Sequence, residues 1–103
     1  MRTYQLITCH LLTAEATKNY GGIIAKHIES LRVYGIETHG VFTSPSRHNQ
    51  VLALVSFPEG TDPASASSKY LSSANFHTDF ADFDWCQVIR KEGILLNPLY
   101  EAT

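Results

Sequence analysis

Five histidines in 103 residues set the first chemical question, because an imidazole is the side chain best suited to move protons near neutrality. His77 stands out among them. It lies between Phe76 and Phe80, and Tyr70 precedes it at an i, i+7 spacing that places both on one face of a continuous helix. A histidine there takes a proton, and a tyrosine hydroxyl polarises a carbonyl or holds an enolate. The pair His77 and Tyr70 therefore suits proton abstraction beside a carbonyl, as in aldol-type ring closure or lyase chemistry. The ordinary alternative is a core tyrosine and a histidine bonded to Asp79 or to backbone. Asp79, Asp82 and Asp84 form an acidic cluster that can orient His77, although such clusters are commonly a solvated helix face. Trp85 offers a stacking surface for a flat ligand, or simple packing against Phe83.

The remaining histidines have plainer readings. His27 falls on an apolar helical stripe and reads as a hydrogen-bonded core residue. His48 falls in a turn. His10 and His39 point from strands, and alternation does not decide which face they share. Cys9 and Cys86 have no CxxC or CxH neighbours, and Cys9 and His10, adjacent on a strand, point to opposite sides and cannot close on one metal. Two free thiols and no metal are expected. Gly21-Gly22 does not make a GxGxxG phosphate loop, and no nucleophile motif or pair of catalytic carboxylates is present.

Composition narrows the class. The chain is 44% apolar and 17% charged, as for a globular domain, and its length allows one core, so residues 1–103 are expected to form a single domain. Eight basic residues against ten acidic ones, scattered singly, give a net charge of −2 and no cationic footprint for nucleic acid. No apolar run approaches the roughly 20 residues of a membrane span, and residues 1–12 do not resemble a leader, so a cytoplasmic protein is expected.

The elements that must hold these side chains follow from periodicity. Residues 3–12 read as a first strand. From Ala14 to Tyr34 the apolar residues recur at three- and four-residue steps, which predicts one amphipathic helix capped by Thr13 and ended by Gly35. Gly21-Gly22 weaken its first half. Residues 36–43 and 49–57 read as an antiparallel pair joined by the turn at residues 44–48. Asp62-Pro63 opens a second helix running to about Ser72, and Phe76, Phe80 and Phe83 suggest further helical turns. Residues 87–96 read as the last strand. The order β-α-β-β-α-β is the ferredoxin-like split motif of an α+β domain, an antiparallel sheet with helices on one face. Strands 36–43 and 49–57 carry apolar residues on both sides, so both sheet faces must be covered. A homodimer in which two sheets meet as an α+β barrel around a cavity is the simplest cover.

Short segments of the chain resemble a known family. Leu31-Arg32-Val33-Tyr34-Gly35-Ile36, Gly40-Val41-Phe42-Thr43, Asn49-Gln50-Val51 and Leu95-Leu96-Asn97-Pro98-Leu99 are similar to the NIPSNAP proteins, which are dimeric α+β barrels; the likeness spans Tyr4 to Leu99. Gln5 and Ile7 stand where that family alternates an acidic and a basic residue. The resemblance implies the fold and the dimer, and the wider superfamily implies three kinds of function. These are acid–base cyclases and lyases, cofactor-free or haem-dependent oxygenases, and small-molecule binding proteins. The reading that best fits His77 and Tyr70 is a small cofactor-independent enzyme acting on an aromatic or polyketide-like compound. A non-catalytic homodimer binding an apolar or aromatic small molecule or a partner protein is the alternative, and a monooxygenase, with His77 as a haem ligand in one version, is a third.

Overall fold

A computed structural model describes residues 2–100. Strand β1 (Thr3–Leu11) is followed by helices α1 (Ala14–Lys26) and α2 (Ile28–Val33), then by strands β2 (Glu37–Phe42) and β3 (Gln50–Phe57). Helices α3 (Pro63–Leu71) and α4 (Ala74–Asp79) come next, and a 3-10 turn (Trp85–Gln87) leads into β4 (Val88–Leu96). The four strands pair antiparallel in the order β2-β3-β1-β4, the ferredoxin-like arrangement expected for an α+β domain.

The capping chemistry works as the sequence implies. Thr13 Oγ1 accepts from the Ala16 amide at 3.0 Å and starts α1. Asp62 accepts from the Ser65 amide and, with Pro63 at the first helical position, starts α3. Gly35 turns at φ 79°, a conformation that spares it the Cβ penalty, and sends the chain into β2. Two expected continuities are broken. The helix predicted over 14–34 divides at His27, whose ψ of 31° leaves the α region, while Gly21 and Gly22 stay inside α1. Ser73 starts a new helix, accepting from the Phe76 amide at 3.1 Å, so Tyr70 and His77 do not share one helix.

The helix-covered face holds two groups of buried side chains. One gathers Cys9, Leu11, Ala16, Tyr20, Val51 and Phe80; the other gathers Ile36, Val55, Phe57, Ala66 and Tyr70. Phe76 packs against both. Rings of Tyr20, Phe76, Phe80, Phe83 and Trp85 touch one another at centroid separations of 5.0–6.3 Å, so the three phenylalanines converge although α4 stops at Asp79.

The opposite face has no helix over it. Register places Tyr4, Leu6, Thr8, His10, Leu52, Leu54, Ser56, Ile94 and Leu96 there. A β-bulge between Thr38 and Gly40 turns His39 onto the same side, which explains why alternation could not assign it: His39 Nε2 lies 2.7 Å from Ser56 Oγ and its ring meets that of Tyr4. Gly40 leaves room for the Phe42 ring, which a Cβ would overlap.

Cys9 is 1% exposed and Cys86 is exposed, both as free thiols. Burial pushes the Cys9 thiol up, outweighing the opposing effects of the Tyr20 hydroxyl and of Lys91. Iodoacetamide at neutral pH is therefore expected to modify Cys86 alone in the folded protein and both cysteines in denaturant. Intact mass after peptide mapping reads this, and equal labelling of Cys9 in the native state would show the first core to be open.

Candidate active site

Between the sheet and the helices lies a cavity of about 100 Å³. Ile7, Ala53, Val55 and Phe57 face it from the sheet, and Tyr20, Ile24, Tyr70, Phe76 and Phe80 from the helices. It runs along the seam where the two core groups meet. Trp85, 42% exposed, lines its outer side. The polar groups on its wall are His27, Ser67, Lys91 and the hydroxyls of Tyr20 and Tyr70.

His27, Asp79 and Tyr70 form one connected unit at this wall. His27 Nδ1 lies 3.1 Å from Asp79 Oδ1, and the Tyr70 hydroxyl donates to Asp79 Oδ2 at 3.0 Å. The Asp79 side chain is 6% exposed and that of His27 is 30% exposed. A carboxylate so withdrawn from water is costly unless paired, and here it meets one group at each oxygen. Asp79 favours the imidazole proton on Nδ1, which leaves the Nε2 lone pair as the basic site. Burial, then the bond and the charge of Asp79, push the Tyr70 hydroxyl above the usual phenol range. Tyr70 thus stays protonated, with its single proton committed to Asp79. Tyr20 is likewise pushed up, by burial first and by its neighbour Cys9 next.

The position of Asp79 is set by local sequence. Ser73 caps α4 and its Oγ donates to the Tyr70 carbonyl at 2.5 Å, which joins α3 to α4 at a sharp corner. Asp79 ends α4 facing back toward Tyr70, and His27, at the joint between α1 and α2, completes the contact.

The residues singled out in the sequence therefore separate. Tyr70 is buried and lines the cavity, whereas His77 is exposed on α4, has its ring 5.9 Å from that of Phe76, and is not part of the lining. Among the described residues no hydrogen bond or ring contact joins His77 to Tyr70. His27, expected as a core histidine, is hydrogen-bonded through its backbone at the end of α1 and also reaches the cavity. Asp79 orients His27 rather than His77, Asp84 caps the 3-10 turn, and Asp82 lines an open groove beside α1. His10 and His39 lie on the open sheet face: Gln50 Nε2 meets His10 Nδ1 at 3.2 Å and Glu92 lies 3.4 Å from His10 Nε2. Among the described residues no group of three His, Cys, Asp or Glu side chains is arranged to hold a metal, and no helix is long and apolar enough to cross a membrane. The fit to haem is poor: His77 does not face the cavity, and about 100 Å³ falls well short of the roughly 300–1,000 Å³ of sites for drug-sized ligands.

Fold and site together define a ferredoxin-like α+β domain with an apolar cavity under its helices. Solved structures of this kind include an uncharacterized NIPSNAP-like domain protein from Burkholderia xenovorans, with a TM-score of 0.78 at 16% identity over 99% of this chain and 89% of that one. A NIPSNAP family protein with unknown function from Agrobacterium tumefaciens superposes with a TM-score of 0.75 at 17% identity, covering 94% and 87%. A putative antibiotic biosynthesis monooxygenase from Nitrosomonas europaea gives 0.67 at 14%, covering 98% and 94%. No family model matches the chain, and neither does any curated protein. The chain thus shares the fold of the NIPSNAP proteins, as the short sequence segments imply.

Removing the Tyr70 hydroxyl leaves one Asp79 oxygen without its donor. Tyr70→Phe is expected to lower stability by about 1.5–3 kcal/mol, the worth of a hydrogen bond to a charged group, without loss of the fold. Urea unfolding followed by near-ultraviolet circular dichroism measures this; an unchanged midpoint would mean that Asp79 finds another donor.

Proposed function

We propose that the chain is a homodimeric, cofactor-independent enzyme that removes a proton from a small molecule held in the cavity between sheet and helices, with His27 as the general base. One observation carries this reading: the buried Asp79 carboxylate bridges His27 and Tyr70 at the wall of an otherwise apolar cavity. Asp79 sets the imidazole tautomer and supports the imidazolium formed when Nε2 accepts a proton, and Tyr70 holds Asp79 in place. His77, exposed on α4, has no comparable support.

The volume limits the substrate. Apolar cavities of about 150 Å³ bind benzene, so about 100 Å³ suits a short-chain compound with a carbonyl beside an acidic C–H, and a single-ring compound enters only if the lining gives way. A multi-ring polyketide would require α4 and Trp85 to move away from the sheet. After proton loss the enolate has two outlets. It attacks an electrophilic carbon within the substrate or expels a leaving group β to the carbonyl, which takes the proton back from the His27 imidazolium, the cyclase and lyase outcome, or it reacts directly with dioxygen. The fold likeness to putative antibiotic biosynthesis monooxygenases favours keeping the second outlet under test.

The dimer rests on the bare sheet face. Phe42, Ile94 and Leu96 are 53%, 58% and 40% exposed there, beside Leu6, Leu52 and Leu54, an apolar surface that water does not suit. A second copy laid face to face covers it and buries more than about 1,200 Å² in total. Light scattering at micromolar concentration is expected to return twice the chain mass; a monomer would remove the barrel from the proposal.

For the chemistry, proton–deuteron exchange into candidate carbonyl compounds, followed by NMR with oxygen uptake in parallel, supplies the assay. His27→Gln is expected to cost on the order of 10² to 10⁴ in rate, and His77→Gln less than about threefold. His27→Gln also weakens the tie to Asp79, so its melting temperature is measured alongside. A folded His27→Gln that retains full turnover, or a His77→Gln that loses it, would return the base to His77.

A further inference from the structure

Lys91 enters the cavity from β4, where the register sets it opposite Cys9 and on the helix-facing side of the sheet. The rest of the wall is predominantly aliphatic and aromatic, so an ammonium there needs a reason. Its sequence neighbour Glu92 does not compensate it: Glu92 points to the other face, 2.7 Å from Arg90 Nε and 3.4 Å from His10 Nε2. No ion pair to Lys91 occurs among the described residues.

The groups nearest Lys91 carry no counter-charge. Cys9 lies beneath it and Tyr20 beside the thiol, and burial raises both above their usual ranges, so both are neutral where lysine is charged. Lys91 is exposed as a residue on the edge strand while its side chain lines the cavity, and desolvation by the neighbouring wall lowers it from the ordinary lysine range. Asp79 already meets His27 and Tyr70. The cavity thus has one uncompensated positive charge on its β4 side and a base with its own carboxylate on its helical side.

We infer that the cavity is built for a small monoanion, a short-chain or single-ring carboxylate whose negative charge lies at the Lys91 ammonium while its apolar body fills the space between sheet and helices. This deepens the proposed function: the carboxylate end anchors the molecule at β4 and its acidic C–H is presented to His27. A single anchor at one end of an apolar slot also fixes which end of the substrate meets the base, something the aromatic lining alone cannot do.

Benzoate, butyrate and the uncharged benzamide are the probes, titrated into the full chain by calorimetry and by NMR of the protein amides. Benzoate is expected to bind about tenfold to a hundredfold more tightly than benzamide, the worth of one hydrogen bond to a charged group. Lys91→Met, close in volume, is expected to erase that preference while leaving benzamide affinity unchanged, and Lys91→Arg to retain most of it. Should Lys91→Met fail to fold, Lys91→Gln carries the same comparison. Equal affinity for benzoate and benzamide in the parent, or full benzoate affinity in a folded Lys91→Met, overturns the anion assignment and leaves the cavity as a ligand site. Binding of none of the three probes overturns both the assignment and the cavity reading.

Discussion

The Asp79 carboxylate is the constraint around which the helical layer is arranged. A carboxylate withdrawn to 6% exposure is costly unless partners replace its lost water, and removing one hydrogen-bond partner of such a group costs about 1.5–3 kcal/mol. Its partners come from distant parts of the chain: His27 from the joint of α1 and α2, Tyr70 from the end of α3. None of these helices is long, and α2 and α4 have only six residues each, too few to hold themselves in water. What fixes them is the sheet below and this polar knot above it. The knot lies at the cavity wall, so the interaction that orders the layer also orients the imidazole.

That arrangement accounts for the cavity. The helix-facing side chains divide into two packed groups, one around Tyr20 and Phe80 and one around Phe57 and Tyr70. The break at His27 lets α1 serve the first group and α2 the second. Two short helices angled by a joint cannot fill the seam as one straight helix would, and a space of about 100 Å³ remains beneath them. A void of that size costs stability, since its lining forgoes dispersion contacts.

Local chemistry was legible in the sequence, and distant contacts were not. Thr13, Gly35 and Asp62-Pro63 act within a turn of themselves, so the start of α1, the entry to β2 and the start of α3 follow from residue type. The strands and the β-α-β-β-α-β order follow from apolar period for the same reason. His27 escaped because an imidazole on an apolar stripe looks the same whether it meets backbone or a carboxylate from fifty residues away. His77 drew attention through its neighbours Phe76 and Phe80, yet Ser73 restarts the helix and rotates His77 outward. The signal that would have moved attention was Ser73 itself, a capping residue just past the expected end of the second helix. Lys91 gave no signal beyond its parity with Cys9 on the adjacent strand, which becomes informative only once the register is known.

The open face of the sheet shows how polar groups can belong to an apolar interface. Ser56 is fully buried there although no helix covers it, because Arg2 Nε donates to its oxygen at 2.8 Å and the His39 imidazole closes over it. His10 meets Gln50 on its strand neighbour through Nδ1, while its Nε2 is buried with Glu92 3.4 Å away and no hydrogen bond. The Ser56 cluster is closed within one chain, so a second sheet laid over it would meet Leu6, Leu52, Leu54 and Ile94, with the His10 Nε2, Arg90 and Glu92 left to find partners toward the β4 edge. Covering that face would remove apolar area from water at about 25 cal/mol per Å², offset by the cost of withdrawing Arg90, Glu92 and the unpartnered His10 Nε2 from solvent.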